Sequence, residues 1–363
     1  MNNERKTPMH ITPNSIGILY GEGVGREVIE ATLKILNAIL DVAGKKIEID
    51  IGGPIGNDSI KSSGKPLTKD VIHFVKNIFD QGGSILCGPG GARFVYELRS
   101  HFGLYYKLSP IQPIAALNDA RILRNNNLPS ADIMMVRENI GGVYFGRSVN
   151  GKSKEGVRFS ELTFGYSEIE VNNVLRVAER VALTRRKKIT LVLKKDAIQD
   201  ITNLWLDCVE SIKKDNTHID WQFLDIDHAC YQLMATPHEF DVIVSPNMLG
   251  DIMADLGATL LSSRGMSYSG NFSESDYAVF QTGHGAAYDI ADKDIANPIG
   301  QIFSMVMLLE SKFSWFEEAS IIRQAIDSVL AEGYRTKDIA SESSRVIGTK
   351  AMGDLIADAI KSK

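Results

Sequence analysis

The chain has 363 residues, of which 44% are hydrophobic and 23% are charged, and its formal net charge at pH 7 is −5. This composition is typical of a globular protein with one large or two smaller domains. The negative charge disfavours nucleic acid as the main partner, because a phosphate backbone requires a basic surface. No apolar run reaches the length of a membrane span, so we expect no membrane insertion.

The beginning of the chain and the cysteines indicate a compartment. Residues 1–6 carry no apolar segment, so a secretory signal is not expected. Cys87, Cys208 and Cys230 are widely spaced and odd in number, which fits neither a disulfide framework nor a CxxC metal site. These features predict a protein of the reducing cytoplasm.

Strand and helix patterns alternate along the chain, which predicts an α/β protein. The first strand is predicted at 15–20, and an amphipathic helix follows at 27–42. Further strands are predicted at 46–51, 84–87, 131–136, 189–193, 221–224 and 241–244. Further helices are predicted at 168–184, 200–213, 299–311 and 316–331.

Three glycines, Gly21, Gly23 and Gly25, follow the first strand. Their spacing is G-x-G-x-G, so the third glycine falls one residue earlier than in the dinucleotide-binding fingerprint. A structural tight turn and a ligand-binding loop therefore both remain open.

The segment 141–165 is rich in Gly, Ser, Tyr and Phe. This composition predicts a hairpin or arm rather than part of a core. Because such an arm cannot bury its own apolar side chains, we expect a partner subunit to cover it.

An acidic pair follows the predicted strand at 241–244. That strand stops at Ser245 and Pro246, and a helical pattern begins near Met248. Asp251 and Asp255 then lie four residues apart on one helix face. Two such carboxylates repel each other, and a divalent cation with oxygen ligands relieves this repulsion. Taken alone, the pair also fits a solvated acidic face.

Four segments together resemble the isocitrate/isopropylmalate dehydrogenase family of β-decarboxylating dehydrogenases. Residues 18–28, ILYGEGVGREV, are similar to the family opening PGDGIGPEV. Residues 136–146, VRENIGGVYFG, resemble the family's VREN/T-x-GG-x-Y-x-G segment. Residues 246–255, PNMLGDIMAD, and 284–298, HGAAYDIADKDIANP, are similar to its N-x-x-GDI-x-SD and HGSAPDIAGKGIANP stretches. The order and spacing of all four carry the resemblance.

The resemblance implies an isopropylmalate dehydrogenase-like α/β fold. A large, mainly cofactor-binding domain is expected from 1–113 and 262–363. A smaller central domain, 114–261, is expected to carry dimerisation, metal and substrate functions. Its arm, at about 142–165, is expected to interlock with its twin in a homodimer with shared active sites.

The resemblance also implies a reaction and a metal. A small anionic 2-hydroxy acid, a C3-substituted malate such as 3-isopropylmalate or an isocitrate-like acid, is oxidised by NAD and decarboxylated. Asp251 and Asp255 match two ligands of Mg²⁺ or Mn²⁺. Asp227 of the other subunit matches the third ligand, with Asp225 as the alternative.

Proton transfer is implied for a lysine and a tyrosine. Lys195, acting across the dimer interface, matches the family's base, and Lys194 is the alternative register. Tyr144 matches the tyrosine that serves as the acid.

Substrate carboxylates require cations, and here the chain departs from the family. Arg99 and Arg137 match two of three family arginines, but the third position is Ser109. Either the substrate differs, or another cation such as Arg93 or Lys107 substitutes. A further specificity position is occupied by the apolar Val95.

A cofactor set follows from the 284–298 segment and the glycine loop. Asp289 favours NAD, because a carboxylate accepts hydrogen bonds from a ribose diol and repels a 2′-phosphate. The remaining residues expected on the cofactor side are Val24, His284, Gly285, Ala286, Ala287, Ile290 and Asn297.

Three further departures from the family are present. Gln281 stands where relatives have Glu, Tyr288 where they have Pro, and Ala197 where they have Asn. The last two positions line the cofactor side in relatives. Ser109, Ala197 and Gln281 motivate a second hypothesis, a non-catalytic or regulatory relative that binds nucleotide or acid without turnover.

Overall fold

The computed structural model describes residues 15–120 and 130–363. The residues behind the expectation of no secretory signal lie outside this described part. Within it, no helix is both long and apolar enough to cross a membrane.

Fourteen strands are present in the described residues, and ten of them form one sheet. In chain order they are β1 Ser15–Leu19, β2 Glu48–Ile51, β3 Ser84–Cys87, β4 Tyr106–Ile111, β5 Ile133–Glu138, β6 Arg147–Lys152, β7 Arg158–Thr163, β8 Lys188–Leu193, β9 Asp220–Asp225, β10 Val242–Ser245, β11 Tyr268–Phe272, β12 Ala278–Thr282, β13 Tyr334–Arg335 and β14 Arg345–Val346.

Helices cover the sheet. They are α1 Gly25–Ala43, α2 Gly56–Ser63, α3 Lys69–Asp80, α4 Phe94–Phe102, α5 Glu168–Leu183, α6 Gln199–Asp215, α7 Ile226–Ala235, α8 Asn247–Gly257, α9 Ile299–Leu308, α10 Phe316–Ala331 and α11 Thr349–Lys361. Helix α9 continues into a π-helical turn, Leu309–Phe313. Helix α5 begins at a capping box, in which Ser167 and Glu170 each accept a hydrogen bond from the other's backbone amide.

The large sheet has the strand order β2-β1-β3-β12-β11-β4-β5-β10-β8-β9. Most neighbours are parallel, but β4 and β11 run antiparallel to both of their neighbours. Strands such as β1 and β10 are buried along their whole length, as expected for a sheet covered on both faces.

The strand order supports the predicted division of the chain. The first six strands in this order all belong to 1–113 and 262–363, and the last four belong to 114–261. The boundary between the two sets falls between β4 and β5. The division itself stays a prediction.

The long, regular elements agree with the sequence pattern, although their ends shift by a few residues. Three strands near the middle of the sheet, β4, β11 and β12, were not predicted. Each carries polar residues among its apolar ones, such as Lys107 in β4, Ser269 and Asn271 in β11, and Gln281 in β12. Such residues interrupt the pattern from which a buried strand is recognised. Helices α2, α3, α4, α7 and α11 were not predicted either.

An exposed hairpin occupies the segment predicted to form an arm. Strands β6 and β7 pair only with each other, and their residues are almost all exposed. Val149, Phe159 and Leu162 present apolar side chains to solvent from it. An isolated two-stranded hairpin is at best marginally stable in water, so this one requires a covering surface.

Candidate active site

A cavity of about 280 Å³ opens where β4, β5, α4, α8 and the segment after β12 meet. Cations, carboxylates and a histidine face one another across it. Its lining residues are Gly90, Ala92, Val95, Tyr96, Arg99, Lys107, Arg137, Asp251, Asp255, Arg264, Gln281, Thr282, Gly283, His284 and Gly285.

Arg137 is the central cation of the cavity. It lies near the end of β5, beside Ser245 at the end of β10, and it is buried. Its Nε and Nη2 donate to Oδ1 of Asn247 at 3.0 and 2.7 Å, and Nη1 donates to the Asp251 carboxylate. Helix α8 approaches closely because residue 250 is glycine, where a Cβ would lie 2.9 Å from Cγ of Arg137. The guanidinium is therefore fixed by the first turns of α8.

Asp251 joins this arginine to Tyr144. The Tyr144 hydroxyl donates to Oδ2 of Asp251 at 2.8 Å. Burial alone raises the pKa of the Asp251 carboxyl, but Arg137 and the Tyr144 hydroxyl outweigh it, and the pKa is lowered. Burial and the neighbouring carboxylate raise the pKa of Tyr144 to about 12. At neutral pH, Asp251 is ionised and Tyr144 keeps its proton.

Asp255 has a different guanidinium partner. Nη2 of Arg264 lies 2.9 Å from Oδ2 of Asp255, and both side chains are half exposed. Each carboxylate of the acidic pair thus has its own arginine, which reduces the repulsion that the sequence indicates. No group of three or more His, Cys, Asp or Glu side chains within the described ranges is arranged to hold a metal ion. Asp251 and Asp255 are the two carboxylates that line the cavity, and carboxylate oxygens are the donors that Mg²⁺ and Mn²⁺ prefer.

Arg99 and Lys107 are buried cations that face the cavity. Their side chains are 6% and 9% exposed, and neither forms a hydrogen bond or ion pair with any residue in the described part of the chain. Burial and the charge of Arg137 lower the pKa of Arg99 to about 9. Burial, Arg99 and Arg137 lower the pKa of Lys107 to about 7.

The two other predicted substrate residues differ in position. Val95, on α4, is half-buried and lines the cavity. Ser109 lies on β4 opposite Met135 and does not line the cavity. Beside Val95, the ring of Tyr96 packs edge-on against Tyr144.

The glycine loop and the predicted cofactor segment are in contact. The Val24 amide donates to the Ala286 carbonyl at 2.9 Å, and a Cβ at Gly23 would collide with that carbonyl. Val24 also packs against Ala287 and Ile290. The absence of a side chain at Gly23 therefore permits close packing of the two segments.

His284 and Asp289 present different surfaces of this segment. Burial lowers the pKa of His284, whose Nδ1 lies 2.8 Å from the Gly285 carbonyl, so the imidazole is neutral. Asp289 is exposed. Ala287 has a left-handed backbone conformation, with φ of 44°, at the bend between them.

Asn297 is committed to the fold. Its Oδ1 accepts from the Ile299 amide at 3.0 Å, and its Nδ2 donates to Asp338 at 3.1 Å. The residue is 5% exposed. It therefore fixes the start of α9, and its Nδ2 also lies 3.3 Å from Sδ of Met266.

Glu22, which the sequence analysis did not single out, connects the glycine loop to the start of α2 and to the segment before α4. It is buried and accepts hydrogen bonds from the backbone amides of Asn57, Asp58 and Gly91. Tyr288 belongs to the same cluster, because its hydroxyl accepts a hydrogen bond from the side-chain Nδ2 of Asn57 at 2.8 Å. An acidic residue between two glycines at the start of a helix was the signal available for Glu22.

Lys195 and Asp227 do not line the cavity of their own chain. They lie at the carboxyl end of β8 and in the first turn of α7, on an exposed surface. Lys194 Nζ binds the Asp227 carboxylate at 2.5 Å, and Oδ1 of Asp225 accepts from the Lys195 amide at 2.8 Å. The two residues predicted to act on a partner's site are thus neighbours on one patch.

Three comparisons with known proteins indicate the same family. A profile described as isocitrate/isopropylmalate dehydrogenase matches residues 15–356. The 3-isopropylmalate dehydrogenase of Clostridium pasteurianum is 33% identical over 360 residues, covering 94% of this chain and 98% of that protein. The Thermotoga maritima enzyme of the same name is 34% identical over 356 residues, covering 94% and 97%. The isocitrate dehydrogenase structure from Methylococcus capsulatus matches with a TM-score of 0.85 and 27% identity, covering 96% of this chain and 99% of that one. The predicted fold is confirmed.

Proposed function

Because the chain belongs to the isocitrate/isopropylmalate dehydrogenase family, a family of decarboxylating dehydrogenases, we propose that it oxidises and decarboxylates a malate-type 2-hydroxy acid, using NAD and a divalent metal ion. One observation carries the proposal. A single cavity joins buried cations, the carboxylates Asp251 and Asp255, and the start of the 284–290 segment. Cations suit the carboxylates of a dicarboxylic acid, and the carboxylates suit a metal ion.

Substrate binding is assigned to the basic wall of the cavity. Arg99 and Arg137 would bind substrate carboxylates, Arg99 with its unpaired guanidinium and Arg137 from its fixed position on β5. Val95 would face the substituent at C3 of the acid. An apolar side chain there favours an apolar group, as in 3-isopropylmalate, over the additional carboxylate of isocitrate.

Metal binding is assigned to Asp251 and Asp255, with the partner subunit's Asp227 as a third carboxylate. The oxygen-only donor set fits Mg²⁺ or Mn²⁺. When bound, such an ion supplies Lewis-acid stabilisation of negative charge that develops on substrate oxygen. The exposed position of Asp227, which has Lys194 as its only described ion-pair partner, supports a role outside its own chain.

Proton transfer is assigned to Tyr144 and the partner subunit's Lys195. Tyr144 is protonated at neutral pH because its pKa is about 12. It can therefore return a proton to the carbon that loses CO₂. Lys195 would take the proton of the substrate hydroxyl. Lys195 lies beside Asp225 and Asp227. One surface patch of the partner subunit could therefore provide both the base and the third metal ligand.

Cofactor binding is assigned to the surface formed by the glycine loop and the 284–290 segment. NAD bound there would supply the hydride acceptor for oxidation of the hydroxyl-bearing carbon. Val24, His284, Gly285, Ala286, Ala287 and Ile290 would surround the nucleotide, and Asp289 would accept hydrogen bonds from a ribose diol. Asn297 would support this surface from beneath.

A homodimer with shared sites completes the proposal. The hairpin of β6 and β7 exposes Val149, Phe159 and Leu162. Tyr231 on α7 and Ile252 on α8 are 70% and 49% exposed. Burial of these side chains against a second copy would remove a large apolar surface from water. The cytoplasm is the proposed location, in line with the free thiols of all three cysteines.

A panel of acids tests the reaction. Purified protein with Mn²⁺ and NAD is mixed with 3-isopropylmalate, isocitrate, homoisocitrate, tartrate or malate, and NADH is followed by absorbance. We expect NADH from at least one acid, and none after addition of EDTA. Binding of NAD and acid without NADH from any of them would instead favour the non-catalytic relative.

Complementation tests the shared site. Lys195→Ala and Asp251→Asn chains, each inactive alone, are mixed, unfolded and refolded together. If Lys195 acts on the partner's cavity, mixed dimers contain one intact site and recover up to about a quarter of wild-type activity for random association. A mixture as inactive as its components would rule out the exchange of these residues.

A further inference from the structure

Lys107 points from the middle of the sheet into the cavity. On β4 it lies opposite Arg137 of β5 and opposite Asn271 of β11. Directly opposite residues on neighbouring strands share a face of the sheet. Ser109 is two residues further along β4, and side chains two apart also share a face. Lys107 therefore projects on the same side as the missing third arginine would, and closer to Arg137.

The ammonium group of Lys107 lacks any compensating contact. The residue is 9% exposed, and within the described part of the chain no carboxylate pairs with it and no carbonyl accepts from it. A buried, unpaired charge destabilises a folded protein. A bound ligand of opposite charge would compensate it.

The remaining cations near the cavity are either engaged or turned away. Arg137 binds Asp251 and Asn247, and Arg264 binds Asp255. Arg93, the alternative that the sequence left open, is exposed, does not line the cavity, and lies over the ring of Tyr96 at 5.2 Å. Of the described lining cations, only Arg99 and Lys107 have no anionic partner within ion-pair distance. Lys107 is therefore available, beside Arg99 and Arg137, for a carboxylate of a malate-type acid.

We infer that Lys107 binds a carboxylate of the substrate and replaces the guanidinium absent at Ser109. The inference rests on the proposed function and adds to it a residue that determines affinity for a dicarboxylate. A lysine ammonium is a compact point charge rather than a planar fork. It therefore holds a carboxylate through single hydrogen bonds, with less demand on the orientation of the carboxylate plane than the arginine that it replaces.

Calorimetric titration of 3-isopropylmalate and of malate into the Mn²⁺-loaded dimer tests this role without requiring turnover. We expect Lys107→Met to raise the Kd of both acids by about ten- to a hundredfold, the range for a lost charge-assisted hydrogen bond. For any acid that is turned over, KM should rise similarly while kcat changes by less than about threefold. An unchanged Kd in a folded Lys107→Met protein would overturn the inference.

Thermal unfolding separates binding from a structural role. Removal of an unpaired buried charge should keep or raise the Tm of the ligand-free protein, and it should abolish most of the rise in Tm that malate produces in the wild type. A structural lysine would instead lower the ligand-free Tm and leave the malate-induced rise intact. Lys312→Met is the matched control, since the Lys312 side chain is 6% exposed but pairs with Asp276 outside the cavity. Its malate affinity should equal that of the wild type.

Relocation of the charge tests the replacement itself. The Lys107→Met/Ser109→Arg double variant should recover affinity to within about fivefold of the wild type, because the guanidinium returns to the same face of β4. A double variant no better than Lys107→Met would show that the two positions do not share a role. Loss of affinity in Lys107→Met without turnover of any acid by the wild type would refute only the proposed reaction. Turnover with an unchanged KM would refute only the role of Lys107.

Discussion

Two regions of this protein bury different kinds of side chain, one apolar and the other charged. The layer of α1, α9, α10 and α11 packs apolar side chains such as Ile302, Val306 and Ile326 against one side of the sheet, all fully buried. The cavity beside β4 and β5, in the middle of the sheet, buries Arg99 and Lys107, which have no ion-pair partner among the described residues. The first arrangement stabilises the fold, whereas the second leaves buried charge uncompensated. Stability and function are thus carried by different parts of one sheet, and substitutions should separate them.

Asp251→Asn should produce the largest effect, and on activity rather than on stability. The change removes a negative charge that interacts with Arg137 and Tyr144 and is proposed to hold the metal ion. Turnover should fall by at least about a thousandfold, because stabilisation of developing charge is usually the largest catalytic contribution. Steady-state kinetics and circular dichroism would measure activity and fold together. Asp80→Asn, an exposed carboxylate on α3 paired with Lys76, is the matched control and should leave turnover unchanged.

Ile326→Ala should instead lower the stability of the fold and leave substrate affinity nearly unchanged. Ile326 is fully buried in α10, so its truncation leaves a cavity in the apolar layer. The free energy of unfolding should decrease by about 2–5 kcal/mol, measured by urea denaturation, with KM within about twofold of the wild type. A large rise in KM with an intact fold would show that the helix layer and the cavity are coupled, against the separation described above.

Glu138→Gln should give a smaller, pH-dependent effect. Glu138 ends β5 beside Arg137, is 2% exposed, and burial raises its pKa to about 7 from an ordinary value of 4.5. A raised pKa means that the folded state favours the protonated acid. Its contribution to stability is therefore complete below about pH 4.5 and is lost as the pH rises through about 7.

The glutamine variant mimics the protonated acid, so its stability should lack this dependence. Relative to it, the wild type should lose about 1–3 kcal/mol of unfolding free energy between about pH 5 and about pH 8. Urea denaturation of both proteins at these two pH values measures the difference. Parallel pH dependences would assign the loss to other groups.

Much of the apolar framework could be predicted from the sequence, because its elements are long and periodic. The strands β1, β3, β8 and β10 and the helices α1, α5, α6 and α10 all follow the predicted pattern. The strands that carry the cavity were harder to predict. Lys107 and Gln281 interrupt the apolar pattern of β4 and β12 because they line the cavity rather than the apolar core. The hydrophobic pattern of a segment fails to predict a strand where its side chains line a cavity instead of packing in the core.

Residues of the candidate site could be predicted only where they belong to a sequence motif shared with the family. Arg99, Arg137, Asp251, Asp255 and His284 come from segments far apart in the chain, yet they line one cavity. The choice between Arg93 and Lys107 was not predictable, since it depends on the register of β4 with β5 and on the direction of the α4 helix. The involvement of Glu22 depends likewise on long-range contacts that no local pattern encodes.

The proposed oxidative decarboxylation can be tested by simultaneous measurement of NADH and CO₂, with 3-isopropylmalate, isocitrate and malate as substrates in the presence of NAD and Mn²⁺. We expect that at least one acid yields both products in equal amounts, that EDTA abolishes both, and that Asp251→Asn produces neither. NADH formed without CO₂, or no product from any acid by a folded dimer, would contradict it.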